Sequence, residues 1–515
     1  GPWGRTNFGG DIFVMDVMDL ILHNGYVQAI LGYAILLILI GWFVGRRVRS
    51  SSGFFVAGRK LGTGLLFTTL IAANIGAGST VGVAAIAYKS GVSAWWWIGS
   101  AGIGSMILAF CVGPRIWRIA CRHGLYTLGD YLDMRYGKVF RGFFSGMMAV
   151  GTLALFSGQL LGIAWILEVV AGVPKTAGVI AGAVVATLYF AAGGLLSAAV
   201  VNIVELVVIL AGFLVALPCI YGFVGGWEGL TARVAQNLPD AARQASFFSL
   251  DGIGVTVIVG YLVMLVPSFF ISPGLIGKVF GAKDERAIRW GTALNGVVQL
   301  LFAVIPVFIG MAAFAAFPDL PRADLALPTA MKEMMPFSIA TLALAAIFAA
   351  EVSTADTVLY MLATSVSNDL YKRFLNPGVS DAALLRFSRA VTLASGVLGV
   401  LFALKLGSII SALTIFYSLM SVSLAAPLVF GLFTRRASNA GAILASVCGI
   451  ALTLFCTFYR GAETVNLWVG VLDTRTHLVD FGLAKLNAAT CGILFTFAVM
   501  AVSLLILPSR GRGAE

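Results

Sequence analysis

Long apolar stretches, broken by short polar clusters, dominate this chain from end to end. Runs of about 18 or more apolar residues are long enough to cross a bilayer as helices. Thirteen such runs occur, at 27–45, 63–88, 93–114, 140–171, 174–193, 197–224, 251–277, 288–317, 337–367, 387–405, 407–433, 438–459 and 484–507. Open strands cannot sit in lipid, because their backbone groups would lose water without gaining partners, so the runs are read as helices. Several exceed the length needed to span and should tilt or break. The expected class is an all-α, thirteen-helix membrane protein.

Composition points the same way. Of 515 residues, 59% are hydrophobic and 11% charged, against about 25% charged in a soluble domain. The net charge of +11 does not mark a nucleic-acid binder. Its basic residues sit in short clusters between apolar runs, where they set orientation. Counting the gaps alternately, 23 of the 34 Lys and Arg fall on one side, including 46–60, 115–141, 278–289, 372–389, 435–436 and 510–512. The rule that this side is cytoplasmic places the N-terminus outside and the C-terminus inside a bacterial-type inner or plasma membrane. Lipid is then a necessary partner. Residues 225–251 and 317–336 form long outside loops suited to short surface helices. The segment Leu125–Tyr136 alternates apolar and charged residues and is expected to lie along the inner surface. Gly1–Asp11 lacks the basic-then-apolar order of a signal peptide. Gly1-Pro2 has the composition of a protease-cleavage scar, with Met15 or Met18 as candidate natural starts.

Two apolar runs carry polar chemistry. The second contains Asn74-Ile75-Gly76-Ala77-Gly78-Ser79-Thr80 in mid-run. Glycines there either break the helix, freeing carbonyls to bind a cation, or allow a close helix crossing. The ninth contains Glu351 and Asp356, and a charge within a spanning helix demands a partner or an aqueous path. At 100° per residue Ala350, Ser353, Thr354 and Thr357 share one face, and hydroxyls on one face suit a hard cation. The six cysteines show no metal spacing, and His23, His123 and His477 lie in loops or near run ends, so no catalytic cluster is visible and no enzyme is expected.

Ordered along the chain are Phe54–Gly62, Ala72–Gly82, Gly124–Tyr131, Gly193-Gly194-Leu195, Ser353-Thr354 followed by Asn368-Asp369-Leu370-Tyr371, and Gly431–Arg436 with Gly441-Ala442. Together these resemble the solute:sodium symporter family, which holds bacterial proline, sialic acid and sugar symporters and animal glucose, iodide and choline carriers. The resemblance implies the inverted-repeat, LeuT-like fold. Residues 63–224 and 251–433 would be its two five-helix repeats, with 27–45 and 438–507 peripheral, 1–26 an outside segment and 508–515 a cytoplasmic tail. It implies sodium as coupling ion, held by the carbonyls of Ala72, Ile75 and Ala350 and the hydroxyls of Ser353 and Thr354. It implies a small-molecule solute carried by alternating access, with a monomer as the transport unit.

Departures from the family pattern shape the rest. Asn202 falls where many relatives carry an Asp that serves a second sodium. Glu205, three residues on, and Glu351 and Asp356 are candidates for a second cation or proton site. Solute contacts are expected from Asn74, Ser79, Trp96, Trp97, Ser268, Ser272, Tyr417 and Ser421. The apolar Trp95-Trp96-Trp97 argues against a sugar, and the small, hydroxylic and aromatic set favours an amino acid or organic acid. Proton coupling, a passive facilitator and a small cationic solute stay open.

Overall fold

The computed structural model describes residues 23–45, 56–459, 464–467, 470–481 and 485–507. The expectations for residues 1–22 and 508–515, for the basic residues at 46–49 and 510–512, and for Phe54 and Phe55 lie outside the described residues. The architecture is helical nearly throughout. In chain order the helices are α1 (Gly25–Gly45), α2 (Thr63–Asn74), α3 (Val81–Ser90), α4 (Trp95–Ile107), α5 (Gly113–His123), α6 (Leu128–Tyr136), α7 (Lys138–Ala171), α8 (Lys175–Val224), α9 (Gly226–Asn237) and α10 (Ala241–Phe247). Then follow α11 (Val255–Ile271), α12 (Pro273–Phe280), α13 (Glu285–Phe302), α14 (Val304–Ala316), α15 (Ala326–Glu333), α16 (Phe337–Ala363), α17 (Asp381–Lys405), α18 (Ile409–Phe433), α19 (Asn439–Phe458) and α20 (Ala488–Ile506). Among the described residues, eleven helices are long and apolar enough to cross a membrane, and two shorter apolar helices are Thr63–Asn74 and Lys175–Leu188. The chain is a multi-pass membrane protein.

At ~1.5 Å per residue, α8 would be more than twice as long as a bilayer core is thick if it were straight. Its packing shows that it doubles back. Gly178 lies against Ala164 near the end of α7, while Gly212 lies against Leu342 and Ala346 near the start of α16. The end of α7 and the start of α16 share one side: Asn24, next to α1, donates to the Val170 carbonyl, and Gly25 touches Phe337. Both ends of α8 therefore face the same side.

Two helices are broken in mid-course. Between α2 and α3, residues 75–80 leave helical geometry, beginning at Ile75 (φ −94°, ψ 92°). Between α11 and α12 the break is Ser272 alone (φ −52°, ψ 124°), and Pro273 opens the second half. Proline tolerates that first helical position because no helical partner exists there for an N–H.

Leu125–Tyr136 packs against the helices of the bundle. Thr127 and Asp130 form a capping box that starts α6. Leu128, Tyr131, Leu132 and Tyr136 are buried, and buried Arg135 donates to the carbonyls of Gly431 (3.2 Å) and Thr434 (3.0 Å). The guanidinium satisfies carbonyls left open at the end of α18. Arg141, also grouped with the inner surface charges, is buried among Asp130 (2.7 Å), Asp369 (2.8 Å) and Asp133 (3.2 Å). A wide-turn helical segment, Thr364–Leu375, continues α16 and carries Asp369 to that cluster. The two long loops carry α9, α10 and α15. An antiparallel meander, β1 (Thr464–Asn466), β2 (Val471–Asp473), β3 (Leu478–Asp480) and β4 (Lys485–Asn487), links α19 to α20, and the sequence reading did not foresee it.

Candidate functional site

The break after α2 sits against α16. The helix ends because its next donors turn elsewhere. The Gly76 N–H donates to Ser79 Oγ (2.9 Å) and the Ala77 N–H to Gln159 Oε1 of α7 (2.9 Å). Neither therefore reaches the carbonyls of Ala72 and Ala73 four residues back. Ala72's carbonyl instead accepts from Ser353 Oγ (2.9 Å) and Thr354 Oγ1 (3.2 Å), and Ser353 Oγ also reaches the Ala350 carbonyl (3.0 Å). Gly76 is required for this approach, since a Cβ there would collide with the Thr354 hydroxyl. Ala72, Ile75, Ala350, Ser353 and Thr354 are all buried. The structure thus brings together four of the five expected cation ligands by direct contact, and Ile75 follows one turn beyond Ala72. Every donor is an uncharged oxygen, the chemistry of a monovalent hard cation.

A small cavity of about 50 Å³ abuts this cluster, tighter than the ~300–1,000 Å³ of most small-molecule sites. Thr354 and Gly76 border it, so the cavity and the oxygen cluster share a wall. Asn74, Ser79, Trp97, Ser268, Ser272 and Tyr417 line it as expected. Trp96 does not: its indole N–H donates to the Leu250 carbonyl (2.9 Å), away from the cavity. Ser421 lies one layer behind, bonded to Ser268 Oγ (2.8 Å) and to the Met264 carbonyl (2.9 Å). Trp97 meets Tyr261 edge-on (5.1 Å between centroids) and Tyr417 (6.2 Å), so the aromatics brace one another across α4, α11 and α18.

Sequence reasoning missed the amides. Gln159 and Gln299 both line the cavity. Asn74 Nδ2 donates to Asn295 Oδ1 (3.1 Å), which also accepts from Gln299 Nε2 (3.4 Å), while Asn295 Nδ2 donates to Ser105 Oγ (3.2 Å). These residues come from α2, α4 and α13. Each lies singly within an apolar run, and the available signal was that a buried amide in a membrane helix needs a partner. Among the described residues, no Asp, Glu, Lys, Arg or His side chain lines the cavity.

The other candidates fall outside it. Glu351 is buried against Gly162, where a Cβ would come within 2.7 Å of the carboxylate, and Glu351 Oε1 accepts from Thr80 Oγ1 (3.1 Å). Its Oε2, and both oxygens of buried Asp356, have no hydrogen-bond partner among the described residues. Asn202 accepts from Thr69 Oγ1 (3.1 Å) and donates to Glu205 Oε2 (2.8 Å) and to the Ala198 carbonyl (3.1 Å). Lys278 is not a loop charge at all. It is 1% exposed on α12, and its Nζ donates to the Thr69 carbonyl (2.5 Å) and to Thr357 Oγ1 (2.7 Å).

Helices broken within the bundle, freed oxygens and a cavity beside them are the parts of a secondary transporter. The sodium:solute symporter family model matches residues 54–449, and the chain belongs to that family. It is therefore a transporter of a small-molecule solute, not an enzyme, and its coupling ion is sodium. The chain is 25% identical over 486 residues to the sodium/glucose cotransporter of Vibrio parahaemolyticus, covering 86% of each. It is 27% identical over 441 residues to the sodium/pantothenate symporter of Escherichia coli (strain K12), covering 80% of this chain and 85% of that one. A sodium-coupled sialic acid symporter, solved substrate-bound and outward-open, shares the fold at 17% identity with a TM-score of 0.77, over 95% of this chain and 99% of that chain.

Proposed function

We propose that this protein couples the entry of one sodium ion to that of a small amino acid or organic acid, by alternating access. The carrying observation is the double role of Thr354. Its hydroxyl belongs to the oxygen cluster at Ala72, and its side chain borders the cavity. Occupation of the cluster would fix the wall against which the solute rests, so each would favour the other's binding. The sodium ligands in this reading are the carbonyls of Ala72, Ile75 and Ala350 and the hydroxyls of Ser353 and Thr354. A cavity with no charged side chain, next to a bound cation, suits a solute carrying a carboxylate. The amides and hydroxyls of Asn74, Gln159, Ser272 and Gln299 would orient it.

The same reading takes thirteen crossings, with the N-terminus outside and the C-terminus cytoplasmic. It takes 63–224 and 251–433 as inverted repeats, each opening on a broken helix, and a monomer as the transport unit. Solute uptake into proteoliposomes under an imposed sodium gradient tests it. Uphill accumulation that collapses with the gradient is expected, and uptake indifferent to sodium at every pH would sink the proposal. A proton site beside the sodium site has a specific basis in Glu351 Oε2 and both oxygens of Asp356, which are buried without a hydrogen-bond partner among the described residues. Acceleration of uptake by an inward proton gradient at fixed sodium would reveal it.

A further inference from the structure

Four helices meet at a second polar cluster, one turn along α16 from Ser353 and Thr354. The ammonium of Lys278 contacts two of its members. This side chain leaves the half-helix α12, just past the break at Ser272, and crosses to the first broken helix. There it donates to the Thr69 carbonyl (2.5 Å), and it also donates to Thr357 Oγ1 on α16 (2.7 Å). Thr69 is shared, because its hydroxyl meets Asn202 Oδ1 on α8 (3.1 Å), and the Asn202 amide holds Glu205 Oε2 (2.8 Å). Glu205 is fully buried, its Oε1 has no hydrogen-bond partner among the described residues, and it is the electrostatic neighbour of Lys278.

Consider the cluster without the ammonium. A carbonyl, a hydroxyl, an amide oxygen and a carboxylate remain, one from each of α2, α16, α8 and α8 again. All are buried, and all are hard oxygen donors of the kind that hold an alkali cation. An ammonium is itself a compact monovalent cation with three donors, two of them used here on oxygens of this set.

We propose that Lys278 is a built-in cation that fills a second ion position, and that this is why the protein couples to one sodium. The inference rests on the assignment of the first sodium to Ala72, Ala350, Ser353 and Thr354. The tethered charge balances Glu205 within the membrane, as a diffusible ion would, but it cannot be carried across. It also ties α2, α12 and α16 together through Thr69 and Thr357, so the two broken helices are joined at a point next to the transported ion.

The test uses sodium itself as the probe. Purified full-length protein is titrated with NaCl against N-methyl-D-glucamine chloride at constant ionic strength, and tryptophan fluorescence and thermal stability are followed. Wild type should give a one-site isotherm. Lys278→Met exposes the oxygen set to solution cations and should give a two-site isotherm. The double variant Lys278→Met/Glu205→Gln removes the carboxylate that attracts the extra ion and should return to one site. If Lys278→Met does not fold, Lys278→Gln, which keeps a donor for Thr69 and Thr357, carries the same expectation of two sites. A folded Lys278 variant that still binds a single sodium, or a wild type that binds two, overturns the proposal. Ser353→Ala/Thr354→Ala on the wild-type background separates the two readings. Survival of the wild-type isotherm in that variant refutes the first sodium site, whatever Lys278 variants do.

Discussion

The two broken helices solve one problem in opposite ways. After α2, six residues leave helical geometry, and the freed donors at Gly76 and Ala77 are taken by neutral side chains, Ser79 and Gln159. The Ala72 carbonyl left behind meets the hydroxyls of Ser353 and Thr354. After α11 the break is a single residue, and the half-helix that follows brings its own positive charge, Lys278, to the first helix. In the proposed reading, one break leaves oxygens for an ion that comes and goes. The other carries a cation that is covalently fixed. The contrast shows that a helix break in a membrane is only an opportunity, and that the side chains around it decide whether it binds, orders or locks.

The contrast can be broken at its strongest point first. Ser353→Ala/Thr354→Ala removes both hydroxyls at Ala72 and should weaken apparent sodium affinity on the order of 5- to 150-fold, the effect of losing a buried ligand interaction of ~1–3 kcal/mol. Sodium-dependent uptake, with expression checked by size-exclusion profile, measures it. Next, Gln159→Leu leaves the Ala77 N–H buried without its acceptor and should cost about 1–3 kcal/mol. It should appear as a lower melting temperature in saturating sodium. The loss should exceed that of Leu155→Ile, a volume-conserving change of another cavity-lining residue on the same helix. Asn295→Leu is expected to act more narrowly. It takes away the acceptor that orients Asn74 and Gln299, so the solute KM should rise several-fold, in line with the ~0.5–1.5 kcal/mol of a typical hydrogen bond, while the sodium requirement stays the same. A parallel rise in both would mean that Asn295 supports the bundle rather than the cavity.

The smallest effect concerns pH and lies outside the spanning helices. Burial pushes the Asp324 carboxyl up to about 6, against the opposing pull of Lys89 and Arg322. Its ordinary value is 3.8, so the folded state holds the proton more tightly than the unfolded chain. Stability from this group is therefore fully present below the ordinary value and is lost as pH rises through about 6. Asp324→Asn should flatten the melting temperature across that window and leave sodium-driven uptake unchanged. Any remaining pH dependence of uptake would then point back to Glu351 or Asp356.

Much of the scaffold was legible. Most of each apolar run is described helix, apart from the breaks at 75–80 and 272 and strand β4 at 485–487, because length and hydropathy are local properties and lipid favours helices. Gly76 and Gly78 flagged the first break, and the 100° spacing placed Ser353 and Thr354 on one face. The second break carried a weaker signal, Ser272-Pro273, since a proline can equally well open or kink a helix. The basic residues misled most. Arg135, Arg141 and Lys278 were grouped with surface charges by their position in the chain, yet all three are buried. Charge counting sees where a residue lies along the sequence and not whether a carbonyl or carboxylate waits for it.

By itself, then, the sequence determined a multi-pass helical protein, a helix that could either break or cross closely, and the hydroxyl face that could meet an ion. These follow from the energetics of single segments in lipid. Only the tertiary structure decided that the Ala72 carbonyl meets Ser353 and Thr354, 281 and 282 residues away, that Gln159 and Gln299 complete the cavity, and that Lys278 donates to the oxygens of Thr69 and Thr357. The reason is physical. A partner for a buried polar group is chosen by which helices pack side by side, and one segment's sequence does not contain its neighbour.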